Sequence, residues 1–268
     1  THSIFALLCL YQVFSPQRNC ADIRLVASHP DVYEPCDDSF ALVDALLSER
    51  NHLRELQPSV CVEVGSGSGY VITSLALMLG NETNNVEYIA TDSSEEATKA
   101  TLSTLRSHRI FGEVFVTDLV SGLEERLAGR VDVLIFNPPY VSTCEEEVGL
   151  DGITSAWAGG DRGRTVIDRM LMVVDMLLSS KGLFYLVTIT DNNPGEICQM
   201  MRKKGFESRI VIQRYTDEES LHVLKFWRET TLKEYSTPRR SGSPSSFLTS
   251  TLQGYLSQCL SRFITFKE

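Results

Sequence analysis

The 268-residue chain has no Cys-x-x-Cys pair, no Cys/His cluster at zinc-ligand spacing, no excess of basic residues, no internal repeat and no bilayer-length apolar run. Each absence removes a class of function. The seven cysteines, at positions 9, 20, 36, 61, 144, 198 and 259, are widely scattered. That spacing speaks against a zinc module or disulfide scaffold and for reduced thiols in a cytosolic or nuclear protein. The five histidines are equally dispersed, so no metal site is expected. Lys and Arg number 25 against 35 Asp and Glu, a net charge of −10. An acidic balance repels a phosphate backbone, which makes duplex nucleic acid a disfavoured partner. The apolar stretch Ile4 to Phe14 is too short to span a bilayer and lacks the basic flank of a signal peptide, so no membrane role is expected.

The composition that remains is that of a globular protein, with 43% hydrophobic and 22% charged residues. The two ends differ from the middle. Residues 1–30 are read as lying outside the core. From 229 to 268, 14 of 40 residues are Ser or Thr, which reads as an appendage, disordered or forming a short amphipathic helix. Residues 31–228 hold 18 of the basic and 31 of the acidic side chains, so the middle is more acidic than the whole. There, short β-rich runs alternate with helical segments: Val60–Val64, Glu87–Thr91, Glu113–Thr117, Val131–Phe136 and Leu183–Ile189, then a closing antiparallel pair, Ser208–Gln213 and Ser220–Trp227. The alternation predicts βαβ units and a parallel sheet covered on both faces. Ser93 and Glu96 are spaced as a capping box, and Gly182 is placed to cap the helix whose apolar face includes Ile167, Met170 and Val174.

The first chemical motif, Gly65-Ser66-Gly67-Ser68-Gly69, follows the first strand and precedes the apolar helix Tyr70 to Leu79. Glycines let backbone turn sharply and approach a ligand. A dinucleotide fingerprint requires a third glycine where Tyr70 stands, which argues against a nicotinamide dehydrogenase. Asp92 closes the second strand 27 residues after Gly65, placed to accept from ribose hydroxyls, and Asp118 closes the third, placed to meet an exocyclic adenine amine. Each alone is an ordinary turn residue. Together with the glycine loop they mark the carboxyl edge of one sheet, where open α/β folds bind ligands.

Asn137-Pro138-Pro139-Tyr140 follows the fourth strand. Two prolines are a plain strand breaker, but the flanking Asn and Tyr add chemistry. A planar amide or aromatic amine nitrogen is a poor nucleophile because its lone pair is delocalised. An enzyme alkylating it must hold the N–H bonds with acceptors as the nitrogen pyramidalises. The Asn137 side-chain oxygen and the Pro138 carbonyl are two such acceptors on a stiff backbone, and Tyr140 offers a stacking face.

At these residues the chain resembles the class I S-adenosylmethionine-dependent methyltransferases, and among them the eukaryotic branch of the HemK-type family, which methylates glutamine in translation release factors. The resemblance spans Asp31 to about Arg228 and includes Tyr33-Glu34-Pro35-Cys36-Asp37-Asp38-Ser39-Phe40 and Ala156-Trp157-Ala158-Gly159-Gly160-Asp161-Arg162-Gly163-Arg164. It implies an α/β fold with a seven-stranded sheet ordered 3-2-1-4-5-7-6 and an antiparallel last strand. It also implies S-adenosylmethionine as cofactor, contacted by Ser39, Glu63, Gly65, Gly67, Asp92, Asp118, Leu119 and Asn137. Asn137, Pro138, Pro139 and Tyr140 then form the substrate clamp, with Asn137, Pro138 and Tyr140 catalytic. A small zinc-binding activator subunit is implied as partner, along the edge strand 111–117, with poor expression of the isolated chain. The acceptor implied is a class I release factor, with a histone-tail lysine within the same class; Glu145, Glu146 and Glu147 are candidate attractors for a basic peptide, although such a run is more commonly a solvated acidic loop. The alternatives are an adenine-N6 methyltransferase acting on DNA and a catalytically silent binding module.

Overall fold

A computed structural model describes residues 20–80, 86–150, 152–215 and 220–229. Helices α1 (Asp37–Ser48) and α2 (Arg50–Leu56) precede strand β1 (Val60–Val64), followed by α3 (Tyr70–Leu79), β2 (Glu87–Asp92), α4 (Glu95–Ser107) and β3 (Glu113–Val116). The short α5 (Glu124–Leu127) leads to β4 (Val131–Phe136), and a long loop leads to α6 (Thr165–Leu177), β5 (Leu178–Ile189), α7 (Pro194–Lys203), β6 (Phe206–Tyr215) and β7 (Ser220–Arg228).

The seven strands form one sheet in the order β3-β2-β1-β4-β5-β7-β6. β1 to β5 pair in parallel, and β7 runs antiparallel to both β5 and β6. Every residue of β1 and β4 is buried, which is why both read as unbroken apolar runs rather than alternating ones. α3 is buried along nearly its whole length, because it lies between the sheet and α1 and α2. Phe40 of α1 meets Tyr70 of α3 edge-to-face at 5.6 Å.

The structure corrects three expectations. Ser94, not Ser93, caps α4: its hydroxyl accepts from the Ala97 amide, while the Ser94 amide donates to Asp92 Oδ1. The turn closed by Asp92 therefore places the helix start one residue later. Gly182 is not a helix cap, because α6 passes directly into β5 at Leu178 and the β4–β5 register jumps between Val131 and Val133. A side chain at Gly182 would come within 2.7 Å of the Val131 carbonyl, so glycine is required there by a bulge. The packed unit also begins before Asp31. Ala21 is buried and its amide donates to Ser74 Oγ, Asp22 N donates to His108 Nε2, and Ala27 N donates to Thr104 Oγ1. Residues 1–19 and 230–268, including the apolar stretch Ile4–Phe14 and most of the Ser/Thr-rich appendage, lie outside the described residues. No helix among the described residues is long and apolar enough to cross a membrane.

Candidate active site

The loop after β1 turns because Gly65, Gly67 and Gly69 adopt φ of +66°, +51° and +76°, which L side chains disfavour. Its backbone is fixed from two neighbouring elements. Ser66 N donates to the Thr91 carbonyl, Gly67 N donates to Asp92 Oδ2 at 2.9 Å, and Thr101 Oγ1 of α4 donates to the Gly67 carbonyl. Glu63 braces the loop from beneath, its Oε2 accepting from the Ile72 amide in the first turn of α3. Burial pushes its carboxyl well above the ordinary value of 4.5; the Ile72 bond opposes this and the Asp92 charge adds to it. The folded chain thus keeps a proton that the unfolded chain releases above about pH 4.5, and stability falls as pH rises through that window. Glu63→Gln retains the acceptor without the charge. Its thermal midpoint should exceed that of the parent by at least ~2 °C at pH 8, about 1 kcal/mol, with the gap narrowing toward pH 5.

At the end of β2, Asp92 gives one oxygen to Gly67 N and the other to Ser94 N, and burial raises its pKa. Each oxygen keeps a lone pair for a further donor. Asp118, beyond β3, is 58% exposed, and its Oδ2 accepts from Arg169 Nη2 of α6 at 2.5 Å. Leu119 beside it holds a left-handed φ of +53°.

The clamp after β4 is organised by a residue the sequence reading passed over. Asp38, at the start of α1 and only 4% exposed, uses both carboxylate oxygens. Oδ1 accepts from Ser39 N and Ser39 Oγ. Oδ2 accepts from Asn137 Nδ2 at 3.1 Å and from the hydroxyls of Tyr33 and Tyr140, both at 3.2 Å. A carboxylate only accepts, so Asn137 must turn its NH2 toward Asp38 and its oxygen away. Asn137 Oδ1 is accordingly buried with no hydrogen-bond partner among the described residues. Burial first, and the Asp38 charge second, push the Tyr33 phenol up, keeping it a neutral donor.

The segment Gly159–Arg164 holds the far side of the clamp by backbone contact. Asn192 Nδ2 donates to the Tyr140 and Arg162 carbonyls, while buried Arg164 bonds the Asn192 carbonyl and Asp168 Oδ1. Gly163 lies so close that an added side chain would run into the Tyr140 carbonyl, and its φ is +64°. Gly163→Ala should therefore cost about 2–3 kcal/mol, read as a lower midpoint in chemical denaturation.

Every site residue assigned from the sequence, from Ser39 and Glu63 to the Asn137–Tyr140 tetrapeptide, borders one cleft of about 760 Å³. Asp38, Arg169 and Trp157 border it too. Within the acidic run, Glu145 also ties the loop: its Oε1 accepts from Asp161 N and Thr165 Oγ1, which hold its pKa low. Among the described residues no three His, Cys, Asp or Glu side chains form a metal-holding group.

Comparison with known proteins agrees with this geometry. A sequence profile described as the methyltransferase small domain matches residues 28–156. The human protein "Methyltransferase HEMK2" is 48% identical over 196 residues, 73% of this chain and 89% of the human one. The Schizosaccharomyces pombe protein "eRF1 methyltransferase catalytic subunit mtq2" is 34% identical, over 74% of this chain and 90% of its own. The chain belongs to the HemK-type glutamine methyltransferase family. As a HemK-type methyltransferase it also resembles Mtq2 in the solved E. cuniculi Mtq2–Trm112 complex, which is responsible for methylation of the eRF1 translation termination factor. The identity is 28%, over 74% of this chain and 99% of that one, with a TM-score of 0.52. This HemK-type chain thus carries its family's sheet, and its glycine loop, two strand-end acids and tetrapeptide open on one cleft.

Proposed function

We propose that this methyltransferase transfers a methyl group from S-adenosylmethionine to the side-chain amide nitrogen of a glutamine in a class I translation release factor. The observation that carries the reading is Asn137 Oδ1, a buried acceptor left without a partner among the described residues because Asp38 holds the other end of the amide. Burying an unpaired acceptor is costly, and a ligand N–H removes the cost.

The cleft suits the cofactor. Positive-φ glycines bring bare backbone to its floor, Ser39 and Asp92 stand beside that loop, and Asp92 keeps free lone pairs for ribose hydroxyls. Asp118 and Leu119 would border the adenine. When bound, S-adenosylmethionine supplies a methyl activated by its sulfonium. Asn137 Oδ1 and the Pro138 carbonyl accept the two N–H bonds of the substrate amide and draw its nitrogen out of conjugation. Held in this way by Asn137 Oδ1 and the Pro138 carbonyl, the nitrogen would meet that methyl with its lone pair free and would shed one proton to water on transfer. Orientation of this kind can supply roughly 7–11 kcal/mol of a barrier. A lysine acceptor fits less well, because its ammonium must first be deprotonated, and the carboxylate at the clamp, Asp38, is already occupied by five donor contacts.

The solved Mtq2 relative is a complex with Trm112, and we propose a comparable small activator subunit here. β3 ends the sheet, Phe111 before it is 90% exposed and Val116 within it 56% exposed. An apolar sheet edge of this kind invites pairing. Labelled cofactor offered with release factor, histone tail and oligonucleotide in parallel, activator present, should mark the release factor. Label on the oligonucleotide alone, abolished by Asn137→Ala, would overturn the reading.

A further inference from the structure

We propose that Arg169 is a cofactor-positioning residue: by holding Asp118 it sets the preference of the cleft for a purine bearing an exocyclic amine. This rests on the cofactor reading above and assigns a role to a residue of α6 that neither the glycine loop nor the tetrapeptide contains.

Asp118 lies outside any strand, more than half exposed, and its carboxylate has one hydrogen bond among the described residues, from Arg169 Nη2 to Oδ2 at 2.5 Å. An exposed carboxylate on a loop has several rotamers, and only some of them face the cleft. Arg169 limits that choice from a rigid base. It stands in the second turn of α6, whose start is tied down by Arg164 through Asp168 Oδ1 and the Asn192 carbonyl. Both Arg169 and Asp118 border the cleft. The guanidinium is a permanent donor and occupies Oδ2, so Oδ1 remains to accept from a ligand N–H. A carboxylate oxygen fixed in this way attracts a 6-amino purine and repels the 6-oxo counterpart, whose oxygen is itself an acceptor. As a stabilising ion pair the two half-exposed side chains would contribute little, so a purely structural role and a positioning role give different results.

Calorimetric titration of S-adenosylhomocysteine and its deaminated analogue S-inosylhomocysteine separates them. The parent should favour the adenine ligand by ~10-fold or more, the scale of one charge-assisted hydrogen bond. Arg169→Ala should weaken adenine binding by roughly 10-fold, leave the inosine ligand nearly unchanged and so collapse the preference. Arg169→Lys should restore part of it, with the ligand-free thermal midpoint shifted by less than ~2 °C in both variants. If Arg169→Ala binds with the parent's preference intact, the inference is overturned while the cofactor reading stands. Failure of the parent to bind either ligand overturns both.

Discussion

Asp38→Asn should lower kcat for methyl transfer by roughly 10²-fold or more while leaving S-adenosylhomocysteine affinity within a few-fold of the parent. The substitution is nearly isosteric, yet both carboxylate oxygens are in use as acceptors, one for Ser39 N and Oγ, the other for Asn137, Tyr33 and Tyr140. An amide has one oxygen. If its NH2 faces Ser39, a buried backbone donor meets another donor. If it faces Asn137, that side chain must rotate and offer its oxygen to residue 38, presenting NH2 to the substrate in place of the acceptor. The first orientation spares the clamp but leaves the buried Ser39 amide unsatisfied, at ~1–3 kcal/mol of stability; the second satisfies Ser39 and takes the acceptor from the clamp, and it is the one that lowers kcat. Kinetics with saturating cofactor and activator present read the effect; a variant turning over at near-parental rate would remove Asp38 from the account.

The largest loss of stability should come from Glu49→Ala, about 3–5 kcal/mol. Glu49 sits at the junction of α1 and α2, 6% exposed, and gathers one partner from each of three strands. Tyr185 of β5 donates its hydroxyl at 2.5 Å, Lys225 of β7 lies at 2.7 Å, and Arg209 of β6 completes the ion pairs. Lys225 is also buried, between the rings of Tyr185 and Trp227. Removing the carboxylate strips the counter-charge from that buried ammonium, whose pKa burial and then Arg209 already lower to about 7. At ~2–4 °C per kcal/mol for a domain of this size, the thermal midpoint should drop by roughly 6–20 °C. Glu49→Gln combined with Lys225→Met, which removes both charges, should lose clearly less than Glu49→Ala. A single variant within ~2 °C of the parent would show that the cluster does not anchor α1, the helix that carries Asp38 and Ser39.

The parts of this enzyme legible in its sequence are those whose cause is local. β1 and β4 end where the apolar runs end because parallel central strands are buried on both faces. The glycine loop, the two strand-end acids and Asn137–Tyr140 could be placed on one sheet edge because each follows its strand directly. What escaped depends on contacts distant in sequence. Asp38 was visible beside Ser39, but its hold on Asn137 spans 99 residues. Arg169 reaches Asp118 across 51, and no spacing rule links them. Residues 20–30 carry no helical or strand period, yet their backbone donors find Ser74, His108 and Thr104. Glu145 looked like part of a solvated acidic run, and its role as a loop tie follows only once Asp161 and Thr165 fold back on it.

The central claim is that the Asn137–Pro138 clamp presents a glutamine amide to a methyl donor. Fragmentation mass spectrometry of a release factor incubated with S-adenosylmethionine, activator and enzyme tests it most directly. One added methyl on the side-chain nitrogen of a single glutamine, absent when Asn137→Ala replaces the parent, is the predicted result. A methyl placed on lysine, or an equal glutamine yield from Asn137→Ala, would contradict it.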